Sequence, residues 1–254
     1  MTLPRVTVTR YVTPLREGGS LPGIVEGDDL GTYVCKFRGA GQGLRVLVAE
    51  VIVAGLARAL DIPTPDQVLL DLDADIARYE ADEEVQDLIN ASSGLNLGID
   101  FLPSAFGYDA ACEPEPELAG RILWLDAFTA NVDRSWRNPN LLVWGGTLQA
   151  IDHGASLYFH HSWSGGAGSP ERFAAQPYDR SEHVLKEFAA QAAAQAPALR
   201  ARLDDPALAK IVDDVPDAWL EPVPGAETPA AVRQRYTDFL RARLDGPRAW
   251  EPTA

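Results

Sequence analysis

The chain has few lysines, few cysteines and no long apolar run, and each shortage argues against a class of protein. Lysine occurs three times among 22 basic residues, and 37 acidic residues give a formal net charge of −15 at pH 7. A general nucleic-acid-binding protein needs a basic face to displace counterions from phosphates, and anionic membrane surfaces attract basic proteins. The charge therefore disfavours both nucleic acid and membrane as partners.

The two cysteines, Cys35 and Cys112, are too few for a disulfide framework. Cys35 lies in the apolar run YVCKF, where a reduced core thiol is expected. No stretch approaches the roughly 18 apolar residues of a membrane-spanning helix. The N-terminal segment MTLPRVTVTRYV also lacks the apolar block of a signal peptide. We therefore expect a cytoplasmic protein.

Two common catalytic motifs are missing as well. No lysine follows a glycine, which excludes a Walker loop, and the sequence has no G-x-S-x-G elbow. What is present is a 46% hydrophobic content with six tryptophans, which is typical of a folded globular chain. A length of 254 residues fits one large domain or two small lobes.

Local patterns change along the chain from β-rich to helical. In the front half they predict strands and one buried helix, the strands at 5–14, 24–25, 32–37 and 67–73 and the helix at 44–60. In the back half they predict a helix at 118–130, a strand–turn–strand pair at 141–152, and Ala/Arg/Leu-rich helices from about 180. The polar stretch Asn90–Gly98 is the expected boundary between an N-lobe, 1–98, and a C-lobe, 99–254. We expect an α+β fold with two lobes.

The strongest chemical pattern lies around the predicted strand pair. Asp133 and Asn138 are spaced Asp-x4-Asn, and Asp152-His153-Gly154 follows the second strand. Phosphoryl transfer needs one carboxylate to orient the accepting hydroxyl, and carboxylate and amide oxygens to hold magnesium against the phosphates. In the front half, Lys36 on a strand and Glu50 in the next helix match the ion pair that aims a lysine at phosphates.

These residues carry a resemblance to a known family. The strings LDAFTANVDRSWRNPNLLVWGGTLQAIDHGASL (125–157) and TYVCKFRGAGQG (32–43) resemble the short bacterial branch of the HipA-like kinases. The catalytic segment is also similar to that of the phosphatidylinositol-kinase-type atypical kinases. The resemblance covers roughly residues 5–160. It implies a bilobal protein-kinase-like fold, and transfer of the γ-phosphate of ATP, with Mg²⁺, to a Ser or Thr hydroxyl of a protein.

The resemblance also implies a role for each residue of the pattern. Asp133 would orient the acceptor hydroxyl, while Asn138 and Asp152 would hold magnesium. Lys36 would contact the α- and β-phosphates, and Glu50 would hold Lys36.

Backbone groups are expected to complete the nucleotide site. Two glycine-rich segments offer N–H groups to the phosphates, and their candidate residues are Gly18 and Gly19 in the first and Gly39, Gly41 and Gly43 in the second. Which of the two covers the phosphates is open. A hinge that contacts adenine is expected near Ile99 and Leu102.

Other interpretations stay open at this stage. Asp133, Asn138 and Asp152 are also turn-forming residue types, Lys36 could extend from an edge strand, and Glu50 could face solvent. A small-molecule phosphotransferase would use the same groups. The tripeptide Asp-His-Gly in place of Asp-Phe-Gly also leaves room for a nucleotide-binding pseudokinase that acts as an interaction partner.

Histidine and tryptophan side chains around this pattern are expected to have other roles. His153, His160 and His161 are interpreted as surface or substrate-side residues and not as metal ligands. Trp124, Trp136 and Trp144 are expected to pack in the core or within loops. No sequence feature indicates an oligomeric state.

Overall fold

The computed structural model describes residues 3–15, 21–109, 111–165 and 168–254. The elements of this part of the chain are, in order, β1 (Arg5–Pro14), β2 (Gly23–Gly27), β3 (Thr32–Lys36), α1 (Leu44–Ala59), β4 (Gln67–Leu72), α2 (Glu83–Ala91), β5 (Gly94–Asp100), β6 (Phe106–Gly107), α3 (Pro116–Thr129), β7 (Leu141–Trp144), β8 (Thr147–Ala150), α4 (Pro170–Ala175), α5 (Ala189–Arg202), α6 (Asp205–Asp213) and α7 (Pro229–Asp245). They form two compact units. The first contains residues up to Leu47 and Pro65–Pro103, and the second contains Val48–Thr64 and Ser104–Ala254.

The first unit is a closed five-stranded barrel with the strand order β1-β2-β3-β5-β4. Four of its pairings are antiparallel, and β1 and β4 pair in parallel to close it. β1 begins with alternating exposed and buried residues, so that Val6 and Val8 face the core. The predicted strands at 5–14, 24–25, 32–37 and 67–73 correspond to β1 to β4.

The barrel core contains Cys35, which is fully buried and unoxidised, as the sequence predicts. Its neighbours in the core include Val25, Phe37 and Leu70. Burial raises the pKa of the Cys35 thiol well above its usual range, because the thiolate would lose its hydration. The thiol is therefore a packing group without nucleophilic character.

Strand β5 crosses the segment where the sequence suggested a lobe boundary. Its polar and glycine-rich sequence GLNLGID is atypical of a strand, yet β5 pairs with β3 on one side and β4 on the other. Asn96 is buried there because its amide donates to the carbonyls of Ser92 and Gly94 and accepts from the N–H of Arg38. The first unit therefore continues to Pro103, and the observed boundary does not lie between residues 98 and 99.

The second unit is mainly helical and is built around α3. Residues Leu118–Thr129 of this helix are buried except Arg121, which is half-buried. Trp124 stacks on Phe128, and both rings contact Trp250 near the C-terminus. The observed ranges of α1 and α3 agree with the predicted helices at 44–60 and 118–130 to within two residues.

A small sheet completes the second unit. β6, β7 and β8 pair in that order, and β7 and β8 form the predicted hairpin. The N–H of Ala150 at the end of β8 donates to the carbonyl of Pro63, which ties the hairpin to the segment after α1. Among the helices described, none is both long and apolar enough to cross a membrane.

Candidate active site

Asp133 lies in an irregular loop between α3 and β7, and one of its carboxylate oxygens is held by two amides. Oδ2 accepts from Nδ2 of Asn138 at 2.9 Å and from Nδ2 of Asn140 at 3.1 Å. The N–H of Asp133 donates to Oδ1 of Asn131 at 3.0 Å. Among the described residues, none donates a hydrogen bond to the other oxygen, Oδ1. The loop thus presents one oriented carboxylate oxygen at a half-exposed position.

Beneath this loop lies a buried ion pair. The Nε of Arg134 is 2.5 Å from Oδ2 of Asp126, and neither side chain is exposed. Oδ1 of Asp126 accepts from Asn131 at 2.9 Å, while Nε2 of His183 is 3.0 Å from Oδ2. Because Nδ1 of His183 accepts from the N–H of Leu185 at 3.0 Å, the imidazole proton of the neutral ring is on Nε2 and points to Asp126.

Burial by itself would raise the pKa of Asp126. The positive charge of Arg134 and the hydrogen bond from His183 outweigh that effect and hold the pKa of this carboxyl well below its usual range. Asp126 is therefore ionised in the folded protein. Its charge fixes Arg134, whose other nitrogens contact the loop and the segment around Asp152.

Arg134 joins the Asp133 loop to the segment that carries Asp152. Its Nη1 donates to the carbonyl of Asn140, and it lies 3.3 Å from the carbonyl of Ile151. Nη2 is 3.4 Å from Nδ1 of His153. The N–H of Ile151 also donates to the carbonyl of Asn140, at 3.1 Å. The residues on both sides of Asp152 are thus bound to the loop of Asp133 and Asn138.

The backbone at Asp152 is left-handed, with φ of 52°. This conformation is uncommon outside glycine, although aspartate tolerates it better than most residues. Its neighbour His153 is buried. Because its Nδ1 also lies near Nη2 of Arg134, the histidine of the Asp-His-Gly tripeptide belongs to the same polar network as Arg134.

The C-terminus of α3, from which the loop leaves, has all of its last carbonyls bonded. The carbonyl of Asp126 accepts from Ala130 and Asn131, and that of Thr129 accepts from Leu157. Arg243 of α7 donates to the remaining two, those of Ala127 and Phe128, at 2.8 and 3.0 Å. Helix ends normally leave such carbonyls without partners. In this protein, the hydrogen bonds to these carbonyls fix the direction in which the chain leaves α3 and enters the loop.

Arg243 is buried, and within the described residues its guanidinium donates only to main-chain carbonyls. Besides the end of α3, its Nη1 donates to the carbonyls of Phe173 and Gln176. Burial lowers the pKa of Arg243 to about 9, with a smaller opposing effect from Tyr158. The side chain also lies over the rings of Phe173 and Trp250.

The donor set around Asp133 suits magnesium. Mg²⁺ binds hard oxygen ligands and commonly takes one or two protein side chains, with water and phosphate oxygens in the other positions. Because Nδ2 of Asn138 donates to Asp133, the oxygen of this amide is left for a cation. Asp152 supplies a half-exposed carboxylate on a segment bonded to the same loop. In the described part of the chain, no group of three or more His, Cys, Asp or Glu side chains forms a metal cluster.

The remaining candidate side chains belong to different units. Lys36 ends β3 in the first unit and is 8% exposed, and its Cα pairs with that of Leu97 in β5. Glu50 lies in α1, in the part assigned to the second unit, and is 1% exposed. Glu50 does not face solvent, and burying a charged group without a partner would be costly.

In the glycine-rich segment after β3, hydrogen bonds and close contacts limit which N–H groups can bind phosphate. The N–H of Gly39 donates to Oγ of Ser92, and the N–H of Gly43 donates to the carbonyl of Ala40. A Cβ on Gly39 would lie 2.7 Å from the carbonyl oxygen of Ala91, whereas one on Gly41 would meet nothing within 4 Å. Gly43 has open space beside it as well, but its N–H is engaged, so Gly41 is the candidate that combines open space with an N–H outside these bonds. Gly18 and Gly19 lie outside the described residues.

The expected hinge lies at the end of β5. Ile99 is inside the strand and pairs with Val34 and Gln67. The N–H groups of Asp100 and Phe101 donate to the carbonyls of Asp66 and Thr32. Leu102 follows these bonds and is 8% exposed.

Two expectations about neighbouring side chains are wrong. His153 and His160 are buried, and Nδ1 of His160 is 2.9 Å from the hydroxyl of Tyr236. Only His161 of the three histidines is exposed. Trp124 is a core residue as expected, but Trp136 and Trp144 are 58% and 43% exposed. His160 is buried because the aromatic rings of α7 and of the segment 158–165 pack around it.

Comparison with known proteins identifies a family and a fold. The sequence model of the HipA-like kinase family matches residues 8–252. The crystal structure of the Helicobacter pylori proinflammatory kinase CtkA is similar, with a TM-score of 0.53 and 11% identity over 96% of this chain and 93% of that one. A Golgi casein kinase structure aligns with 96% of this chain and 72% of its own length, at 11% identity and a TM-score of 0.42. Among curated proteins, none matches. The fold is kinase-like.

Proposed function

Because this chain belongs to the HipA-like kinase family, we propose that it transfers the γ-phosphate of ATP, with magnesium, to a Ser or Thr hydroxyl of a protein. The observation that carries the proposal is the geometry of Asp133. One oxygen is fixed by Asn138 and Asn140, and the other has no donor among the described residues. A carboxylate oriented in this way suits an acceptor hydroxyl, which must be aligned with the phosphate that it attacks.

Asn138 and Asp152 would hold the metal. When bound, magnesium neutralises charge on the phosphates and helps to align them. The amide of Asn138 has a double function in this proposal, because its nitrogen donates to Asp133 and its oxygen would bind the cation. Arg134 keeps the two ligands in register by bonding to the residues on either side of Asp152.

Lys36 would contact the α- and β-phosphates, with Glu50 as the acidic group that orients it. The burial of both charged residues supports this role, because a buried charge is retained only where other groups compensate for it. The N–H of Gly41, and the first glycine-rich segment with Gly18 and Gly19, would cover the phosphates. The backbone at Leu102, following Ile99, would contact adenine.

An inactive, nucleotide-binding protein and a small-molecule phosphotransferase are the alternatives. The Asp-His-Gly tripeptide does not favour the first, since His153 is buried and its Nδ1 faces Arg134. It contributes to the support of the loop in this chain. The second alternative differs in the acceptor and not in the groups that handle ATP.

The proposal is tested by label transfer from γ-labelled ATP to a host lysate, with and without magnesium. Lys36→Met and Asp152→Asn should each lower transfer by about 100-fold or more, because each removes a group that stabilises charge on the phosphates. Lys210→Met is the matched control, since Lys210 is exposed on α6, and its transfer should equal that of the wild type. A melting temperature that no nucleotide raises would contradict the proposal. A nucleotide-induced rise without transfer in any sample would favour the inactive binding protein.

A further inference from the structure

Trp136 is an exposed aromatic side chain three residues after Asp133. Its exposed fraction is 58%, and Val132, immediately before Asp133, is 71% exposed. Large apolar side chains normally lie in the core, and an exposed apolar surface rimmed by polar residues is typical of a binding site. Here the exposed pair flanks the residue that would orient the acceptor.

The indole of Trp136 is held in place by a second segment of the chain. Its Nε1 donates to Oε2 of Glu182 at 2.7 Å, and its N–H donates to the carbonyl of Glu182 at 3.2 Å. The guanidinium of Arg137 lies 4.1 Å from the ring centroid and 3.5 Å from the same carboxylate oxygen. These contacts fix the ring while leaving more than half of its surface in water.

The segment that carries Glu182 is itself bound to the catalytic loop. Ser135 and His183 form an antiparallel bridge, and the N–H of Val184 donates to the carbonyl of Arg134 at 3.3 Å. His183 reaches Asp126 beneath the loop. The position of the indole is therefore fixed relative to Asp133. A ring ordered before binding loses little conformational freedom when a ligand covers it.

We infer that Trp136 and Val132 form a docking surface for an apolar side chain of the polypeptide that carries the acceptor hydroxyl. The inference rests on the proposed function. Trp136 is three residues from Asp133, a span of about 11 Å or less along the chain, so a polypeptide bound at Asp133 through its hydroxyl can reach it with a residue near the acceptor. The positive charge of Arg137 over the ring disfavours a basic side chain there, while the exposed surfaces of Trp136 and Val132 offer an apolar contact to an aromatic or aliphatic one. A small polar acceptor would leave this surface uncovered.

The probe for this inference is a positional library of short peptides centred on Ser or Thr, phosphorylated with magnesium and γ-labelled ATP. The wild type should select aromatic or aliphatic residues at one position near the acceptor. Trp136→Ala should abolish that selection and raise KM for the best peptide by about tenfold. Trp136→Phe keeps a ring without the bond to Glu182 and should keep the selection. Trp144→Ala, the other exposed tryptophan, is the matched control and should behave as the wild type.

Three results would overturn the inference. They are a wild type that selects no apolar residue, a selection that survives in Trp136→Ala, and an enzyme that hydrolyses ATP but labels no peptide. In the last case, label transfer to proteins of the lysate would show that the proposed function stands and that only the polypeptide docking surface is wrong. A wild type that neither binds nor hydrolyses ATP would overturn the proposed function itself, and the docking surface with it.

Discussion

The barrel of the first unit and the Asp133 loop of the second are held by different kinds of interaction. In the barrel, backbone ladders close the sheet, and apolar side chains such as Val25, Cys35 and Leu70 fill it. In the loop, the buried groups are charged or polar, with Asp126 and Arg134 at the centre. Apolar packing tolerates small adjustments, whereas a buried ion pair needs every partner in place. The barrel core thus has the packing of a scaffold, and the ion pair beneath the loop has the fixed partners that a preorganised site requires.

Removing Arg134 should give the largest loss of stability. Arg134→Met leaves the buried carboxylate of Asp126 without its cation, and breaking such a pair costs about 3–5 kcal/mol in the free energy of unfolding. Urea denaturation measures it. The double variant Asp126→Asn with Arg134→Met leaves no unpaired charge and should recover part of that loss. A single variant as stable as the wild type would show that the loop does not depend on the ion pair.

Removing Arg243 should have the next largest effect. Arg243→Met removes a donor from four main-chain carbonyls, of which that of Phe173 keeps the N–H of Gln176. Buried acceptors left unsatisfied cost about 1–3 kcal/mol each, with incomplete additivity. We expect a loss of about 3 kcal/mol by urea denaturation. Arg243→Lys should restore only part of it, because an ammonium cannot span the carbonyls that the planar guanidinium spans. Full recovery with lysine would contradict this account.

Acid should destabilise the protein partly through Asp126. Its folded-state pKa is lower than the unfolded value of about 3.9. Its contribution to stability is therefore complete above that pH and is lost as the pH falls toward the folded-state value. Between pH 6 and pH 3, the free energy of unfolding should fall more for the wild type than for Asp126→Asn. Equal losses in the two proteins would argue that Asp126 is not held ionised.

A surface ion pair of the barrel should give the smallest effect. Arg10 and Glu26 join β1 to β2 at 2.9 Å, with side chains 62% and 40% exposed. Exposed pairs contribute about 0–1 kcal/mol, so Arg10→Gln should shift the urea midpoint only slightly and less at high salt. An effect as large as that of Arg134→Met would remove the contrast between the two regions.

Sequence patterns predicted four of the five barrel strands and the positions of α1 and α3. These elements follow local periodicity, which is readable in one sequence. β5 was missed because glycine and asparagine made it resemble a linker. Asn96 is accommodated in this strand by bonds to Arg38, Ser92 and Gly94, which no periodicity reveals.

The candidate site can be predicted only in part, because the residues that support it are distant in the sequence. Asp133, Asn138 and Asp152 lie within one stretch, so that their spacing suggested the chemistry. The residues that support them come from far along the chain: His183 is 57 residues from Asp126, and Arg243 is 115 from Phe128. Arg134 pairs with Asp126, and the spacing of residues in one sequence does not identify which carboxylate it meets. The indole of Trp136 is likewise held by Glu182, which a single sequence does not connect to it.

The most direct test of the central claim separates chemistry from nucleotide binding in Asp133→Asn. This variant keeps the shape of the side chain and loses the charge that would orient the hydroxyl. The account predicts a fall in kcat for phosphotransfer of about 100-fold or more, with the dissociation constant of magnesium-bound ATP within about twofold of the wild type. A variant whose kcat stays within a few-fold of the wild type would contradict the role of Asp133 and the function built on it.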